Sequence, residues 1–356
     1  MHTERRDRTL LGENDVCVNL PKRLEAKDVG PMEPAAFLDR YLPESDTLEK
    51  EGDIYSIQED KHVSYTAPFG RGNDVRNHVT HTDTYRDTFF HNVYPTKAMG
   101  PLHHYRMSSN KIGRRLVDFA SMREFVKAIA DALEAHQCSY DDAQILHRDI
   151  RDGLLIDWDL CLNMTKQPTE ARRPERTRTW QFMSKGLLAD PRKVQDVQDD
   201  EESSLYVLTW IALRYTRHSH LADLLNLLKL FDEVDVGKNT RTGGQRKEYF
   251  LLNGTPVRFT DRPSLDELND ELRLHFHELY HLPKPTDDQL AEVKAFQQMG
   301  MTKSLHLNLA YRYDYLQNRL KNRKWLVETF RKHLATYSWP NDDASCLNKN
   351  IFHRRN

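Results

Sequence analysis

The sequence predicts an α+β fold, and three observations carry that expectation. Pieces with strand character, such as "HVSYTAPF" and "HHYRMSS", cluster before residue 116. Helical periodicity dominates from Ser121 onward. Within that helical part the run "LYVLTWIAL" (Leu205 to Leu213) is apolar on every side, which places it in the middle of a domain and not on its face. With 356 residues, 38% hydrophobic and 30% charged, the chain suffices for one large domain or two smaller ones around a core.

Residues 1–45 mix charge with Pro21, Pro31, Pro34 and Pro43 and read as an irregular arm with one strand candidate, "DVCVNL". Residues 46–115 are polar, rich in His and Thr, with short strands and little helix of their own. Ser121 then caps a helix, with Glu124 reciprocating three residues later. Phe125, Val126, Ile129, Ala130 and Leu133 share one stripe, so this helix runs to about residue 137 and delivers the chain to "ILHRDI". "GLLIDWDL" follows as a short apolar strand, and "TEARRPERTRTWQFMS" as an Arg-rich loop ending in an aromatic turn. "SLDE" (264–267) and "TDDQ" (286–289) are capping boxes, each opening a helix. One long helix spans about 302–337 and stops before Pro340. Its stripe of Tyr313, Leu316, Leu320, Val327, Phe330 and Leu334 docks on its own domain in preference to a partner helix.

The charge balance narrows the partners. Fifty-two basic residues against 54 acidic ones give a formal charge of -2, too little to draw in nucleic acid or an anionic membrane. Cys17, Cys138, Cys161 and Cys346 are far apart with no C-x-x-C pair, which fits reduced thiols in an intracellular protein of the cytoplasm or nucleus. No apolar stretch follows the charged start, and the longest apolar run is too short to span a bilayer.

Two acidic residues carry the chemistry. In His147-Arg148-Asp149 an Asp held on a loop can accept a proton from a hydroxyl nucleophile, while His and Arg position that loop. A second acid, Asp157, emerges from an apolar stretch and is of the type that holds the Mg2+ bridging nucleotide phosphates.

Residues 103–282 resemble the fungal-type protein kinase family. The resemblance rests on "GRRLVDFASMREFVKAIADALEAH", "ILHRDI", "GLLIDWDL", "RTRTWQFMS", "DDEESSLYVLTWIALRY" and "GGQRKEYFL", which occur in the family's order. It implies a protein kinase-like fold, mainly the helical C-terminal lobe, with ATP-dependent transfer of phosphate to Ser or Thr as the family activity. By that resemblance Asp149 is the catalytic-loop base, Asp157 the Mg2+ ligand, Thr179 part of the substrate-docking end of the activation segment, and Asp200 the buried anchor of the catalytic loop. The implied divisions are an arm (1–45), a residual N-lobe (46–115), a C-lobe with C-terminal helices (116–337) and a tail (338–356).

The departures are specific. A kinase catalytic loop places an Asn five positions after its Asp as a second metal ligand, and position 154 here is Leu154. The family has a hairpin between the two Asp residues, whereas this chain runs straight from Arg151 to Asp152 and Gly153. Eight residues reach about 26–29 Å when extended, so both carboxylates can approach one site, but an Asn ligand and a hairpin do not fit between them. Gly70 and Gly72 in "FGRGNDV" read as a turn, with Val75 where a phosphate loop needs a third Gly. Lys50 and Lys61 read as surface residues, and Glu49 and Glu51, so close to Lys50 in sequence, carry little weight as the acid that would anchor a strand lysine. Arg178 stands where the family has Gly before Thr179, and Arg172, Arg173 and Arg176 make a solvated basic loop.

The expectation is therefore a kinase-like module with a truncated or degenerate N-terminal β lobe, catalytically impaired and acting on a protein partner. The alternative is an active Ser/Thr kinase that uses Asp149 as base and Asp157 as metal ligand, with ATP and Mg2+.

Overall fold

The computed structural model describes residues 36–43, 50–79, 102–109, 115–149, 157–158, 161–166, 179–237, 241–254, 257–301, 305–340 and 343–348. The strand expected at "DVCVNL" and the Arg-rich loop of residues 172–178 lie outside these. The fold is mixed α and β: a three-stranded antiparallel sheet, two two-stranded ladders and a helical body.

The sheet is built by strands β1 (Ala36–Pro43), β2 (Phe69–Val79) and β3 (Leu102–Ser109), in the spatial order β1-β3-β2. Two of these correct the sequence reading. Ala36–Pro43 belongs to the sheet and not to an irregular arm, and "FGRGNDV" is strand and not turn. "HVSYTAPF" is mostly not strand: His62 and Tyr65 have positive φ, and the extended backbone starts at Phe69.

Between β1 and β2 the chain forms helix α1 (Glu51–Asp60), which the polar composition of this region concealed. Its inward face is half polar, with Glu51, Gly52, Ile54, Tyr55 and Gln58 all buried. Tyr55 stacks on Phe69 of β2 with ring centroids 5.9 Å apart, which packs the helix on the sheet.

Helix α2 (Met122–Asp141) opens as expected, the Ser121 hydroxyl accepting from the Glu124 N–H at 3.2 Å. The Glu124 carboxylate reaches one residue further back than a capping box requires, to the Ala120 N–H at 2.6 Å. Ladder β4 (Ile145–Leu146) pairs with β5 (Leu162–Asn163) on either side of the segment that carries the two candidate acids. A short helix α3 (Lys185–Ala189) then leads to α4 (Val197–Tyr215), the buried axis of the body. Asp196 and Asp199 close a capping box at its start, and Leu208 and Ile211 are 0% and 2% exposed.

Helices α5 (Leu224–Asp232), α6 (Gln245–Asn253) and α7 (Pro263–His281) pack around α4, with ladder β6 (Asp235–Val236) and β7 (Arg241–Thr242) between α5 and α6. The "SLDE" capping box does not form. Pro263 starts α7 instead, a position where its missing N–H costs nothing, and the Ser264 hydroxyl donates to the Ser338 carbonyl at 2.9 Å. "TDDQ" does close its box, opening α8 (Asp287–Gln298). The long terminal helix is two: α9 (Leu309–Lys321) and α10 (Trp325–Thr336). Asn322 breaks it, its side chain accepting from the Lys324 N–H at 3.3 Å and its carbonyl from the Trp325 N–H at 3.0 Å, a local competition typical of Asn. Among the described residues no helix is long and apolar enough to cross a membrane.

Candidate functional site

The loop after β4 is fixed from the helical body. Asp200 is fully buried in the first turn of α4, and its Oδ2 accepts from the Arg148 N–H at 2.7 Å and from His136 Nε2 at 3.0 Å. Gln195 Nε2 donates to the Arg148 carbonyl at 3.2 Å and to Asp200 Oδ1. Burial alone raises the Asp200 pKa, but the His136 bond and charge, the Arg148 N–H and the charge of His147 together hold it below the usual carboxylate range. These bonds keep Arg148 in a left-handed conformation, φ 75°, a strained state for a non-glycine residue. Asp149 follows, 8% exposed, its N–H donating to His147 Nδ1 at 3.2 Å.

The segment at Asp157 is fixed from the other side of the chain. Glu51, 1% exposed at the start of α1, accepts through one oxygen from the Asp157 N–H at 3.1 Å and the Trp158 N–H at 3.2 Å. Asp157 is also left-handed, φ 74°. The two segments meet at the ring of His147, which lies edge-on to Trp158 with centroids 4.5 Å apart.

Tyr105 of β3 sets where Glu51 stands. Its phenol oxygen packs closely against Gly52, and burial is the main cause that pushes its pKa up to about 12. A Cβ on either Gly52 of α1 or Gly72 of β2 would fall on that hydroxyl, so both glycines are needed for α1 to approach the sheet this closely. Gly72 therefore serves packing. The space above it is filled by a phenol and does not form a cradle for phosphate.

The other candidates fall as follows. Lys50 is 44% exposed and paired with Asp74, not with Glu51, and Lys61 is exposed. Thr179 is half-buried, and its carbonyl accepts from the Phe182 N–H at 3.0 Å, closing the turn Trp180–Phe182. Asn163 caps its own turn, with Oδ1 accepting from the Thr165 N–H at 3.0 Å and hydroxyl at 2.7 Å. Among the described residues no group of three His, Cys, Asp or Glu stands together as a metal site. Sequence reasoning underrated Glu51: a carboxylate beside Lys50 has the look of surface, and nothing local signals that its partners lie more than 100 positions away.

Residues 41–212 match the sequence model of the fungal protein kinase family. The matched segment is just under half of the chain. It starts in β1 and ends in α4, so α1 with Glu51, strands β2 and β3, the Asp149 loop, Asp157 and Asp200 all lie inside it, while "GGQRKEYFL" lies beyond it. Comparison with curated proteins and with solved structures finds no match to the chain.

Proposed function

We propose that this chain is a kinase-like binding module whose phosphotransfer chemistry is impaired and whose target is a protein. The observation that carries this reading is the seven-residue stretch between Asp149 and Asp157, with Leu154 at the position of the second metal ligand. Phosphoryl transfer depends almost wholly on positioning and charge stabilisation of the transferred group, so the loss of one ligand and of a phosphate cradle removes most of the catalysis. In this reading Asp200 and His147 maintain the loop, Arg148 links it to α4, and Thr179 belongs to the docking segment.

The ATP–Mg2+ pair fits these residues poorly. Asp149 and Asp157 are two carboxylates for an ion that prefers six oxygen ligands in near-ideal geometry, and the Gly70–Gly72 stretch is occupied strand. A second reading, an active Ser/Thr kinase, is favoured by the double tether: both acids are present, one segment tied to Asp200 and the other to Glu51.

The test is a radiolabelled phosphate-transfer assay on the purified chain beside Asp149→Asn and Asp157→Ala. Equal background in all three supports the impaired module. Transfer by the unaltered chain that both substitutions abolish overturns it and puts the active kinase first.

A further inference from the structure

The stretch "GGQRKEYFL" (243–251) plays no part in the site above, yet it is built with care. The Gly243 N–H donates to the Leu188 carbonyl at 3.0 Å, and a Cβ there would stand 2.7 Å from the Glu233 carbonyl. Gly244, at φ 95°, makes the left-handed step into α6 that a side chain would resist. Glu233, just past α5, caps the new helix: one carboxylate oxygen accepts from the Gly244 N–H at 3.0 Å and the Arg246 N–H at 2.9 Å. The result is that the third residue of α6, Lys247, enters the core completely, 0% exposed.

A buried lysine needs acceptors. Lys247 finds two, donating to the Gln181 carbonyl at 2.8 Å and the Met183 carbonyl at 2.6 Å, with its nitrogen 3.9 Å over the Tyr206 ring. Both carbonyls belong to the segment that opens with Thr179. The start of α3, directly after that segment, is held too: Glu202 accepts from the Lys185 N–H at 2.8 Å, and the Tyr280 oxygen from the Gly186 N–H at 3.1 Å. Glu202 also takes the hydroxyls of Tyr206, at 2.6 Å, and Tyr280. Trp180 is pinned through Nε1 to the Glu233 carbonyl at 2.9 Å.

We propose that Lys247 is the positioning residue of the docking segment 179–184, fixing its shape through the Gln181 and Met183 carbonyls independently of any event at Asp149 or Asp157. The inference rests on the reading of 179–184 as the docking segment. It adds that the segment is pre-shaped by a residue outside the matched family segment. Burial is the main influence on Lys247 and pulls its pKa down to about 7, while the negative charges of Glu202, Glu233 and Asp232 pull it back up. At pH 6 the side chain therefore offers its full set of donors.

The experiment is amide hydrogen exchange on the full chain at pH 6 without any partner. It compares Phe182 and Met183 with Ile129 and Leu133 of α2, which report opening of the body. In Lys247→Met, which keeps the bulk and loses the donors, exchange at Phe182 and Met183 should rise about tenfold relative to the α2 amides, the factor that leaving a carbonyl unsatisfied implies. Lys247→Gln, which keeps an NH2 donor, should recover part of that protection. If both sets of amides accelerate together, or neither moves, Lys247 is packing alone and the proposal fails. Should neither variant fold, the unaltered chain decides: a protected Lys247 Nζ signal supports the clamp, and a rapidly exchanging one overturns it. Because no partner is present, failure here leaves the binding reading standing, and failure of the binding reading leaves this result unchanged.

Discussion

The loop of Asp149 and the segment of Asp157 are both held in left-handed strain, but by regions of different character. Asp149's loop is tied to Asp200 in the first turn of α4, a helix buried along nearly its whole length. Asp157 is tied to Glu51 at the tip of a ten-residue helix that leans on a three-stranded sheet through the Tyr55–Phe69 stack, Tyr105 and two glycines. The contrast teaches that the two segments are anchored separately. Both tethers are built in full, and in the function proposed above it is the short stretch between them that departs, with Leu154 in place of a second metal ligand.

Removing each tether in turn sharpens that comparison. Asp200→Ala should have the largest effect, because it leaves the Arg148 N–H, His136 and Gln195 facing a buried void. A loss of about 3 kcal/mol is expected, read from the denaturation midpoint. The depressed Asp200 pKa adds a sign: its contribution is complete above the unfolded carboxylate range and fades as pH falls through the folded value. The gap between the two proteins should therefore narrow in acid. Glu51→Ala should cost about 2 kcal/mol by orphaning two backbone amides, and Glu51→Gln, which keeps a carbonyl oxygen, distinctly less. If Glu51→Ala matched Asp200→Ala, the two tethers would be of one kind and the contrast would fall.

The wedge of Tyr105 between α1 and β2 gives a smaller effect with a built-in control. Gly72→Ala should cost roughly 1–3 kcal/mol through overlap with the Tyr105 hydroxyl. In a Tyr105→Ala background the same substitution should cost close to nothing, since residues in contact are not additive. Equal costs in both backgrounds would remove the wedge from the account.

The last effect, a pH-dependent one, lies next to Asp200. Glu201 is buried in the body, accepts from Trp325 Nε1 at 3.3 Å, and is pushed by burial to a pKa of about 8. A raised carboxyl favours folding below its unfolded pKa and loses that contribution as pH rises through the folded value. Glu201→Gln should therefore match the parent near pH 4 and exceed it by a margin that grows as pH rises towards 8, measured as midpoints across that range. A constant difference would show that Glu201 does not titrate in this window.

What could be read from sequence was what local signals encode. Ser121 with its helical stripe, the capping box at Thr286 and the apolar run Leu205 to Leu213 of α4 were legible because each is settled within a few residues. Glu51, Tyr105 and Lys247 were not, since each takes its meaning from hydrogen-bond partners 64 to more than 100 positions away or from a close approach that composition does not record. The split at Asn322 was missed for a different reason: the apolar stripe continues across it, and periodicity cannot see an Asn that turns back on its own backbone.

The central claim, a preserved frame around an impaired site, meets its most direct test in calorimetric titration of the full chain with ATP in the presence of Mg2+. The account predicts no saturable heat up to millimolar ATP, with the protein fully folded in the same cell. Saturable micromolar binding that Asp157→Ala abolishes would contradict it.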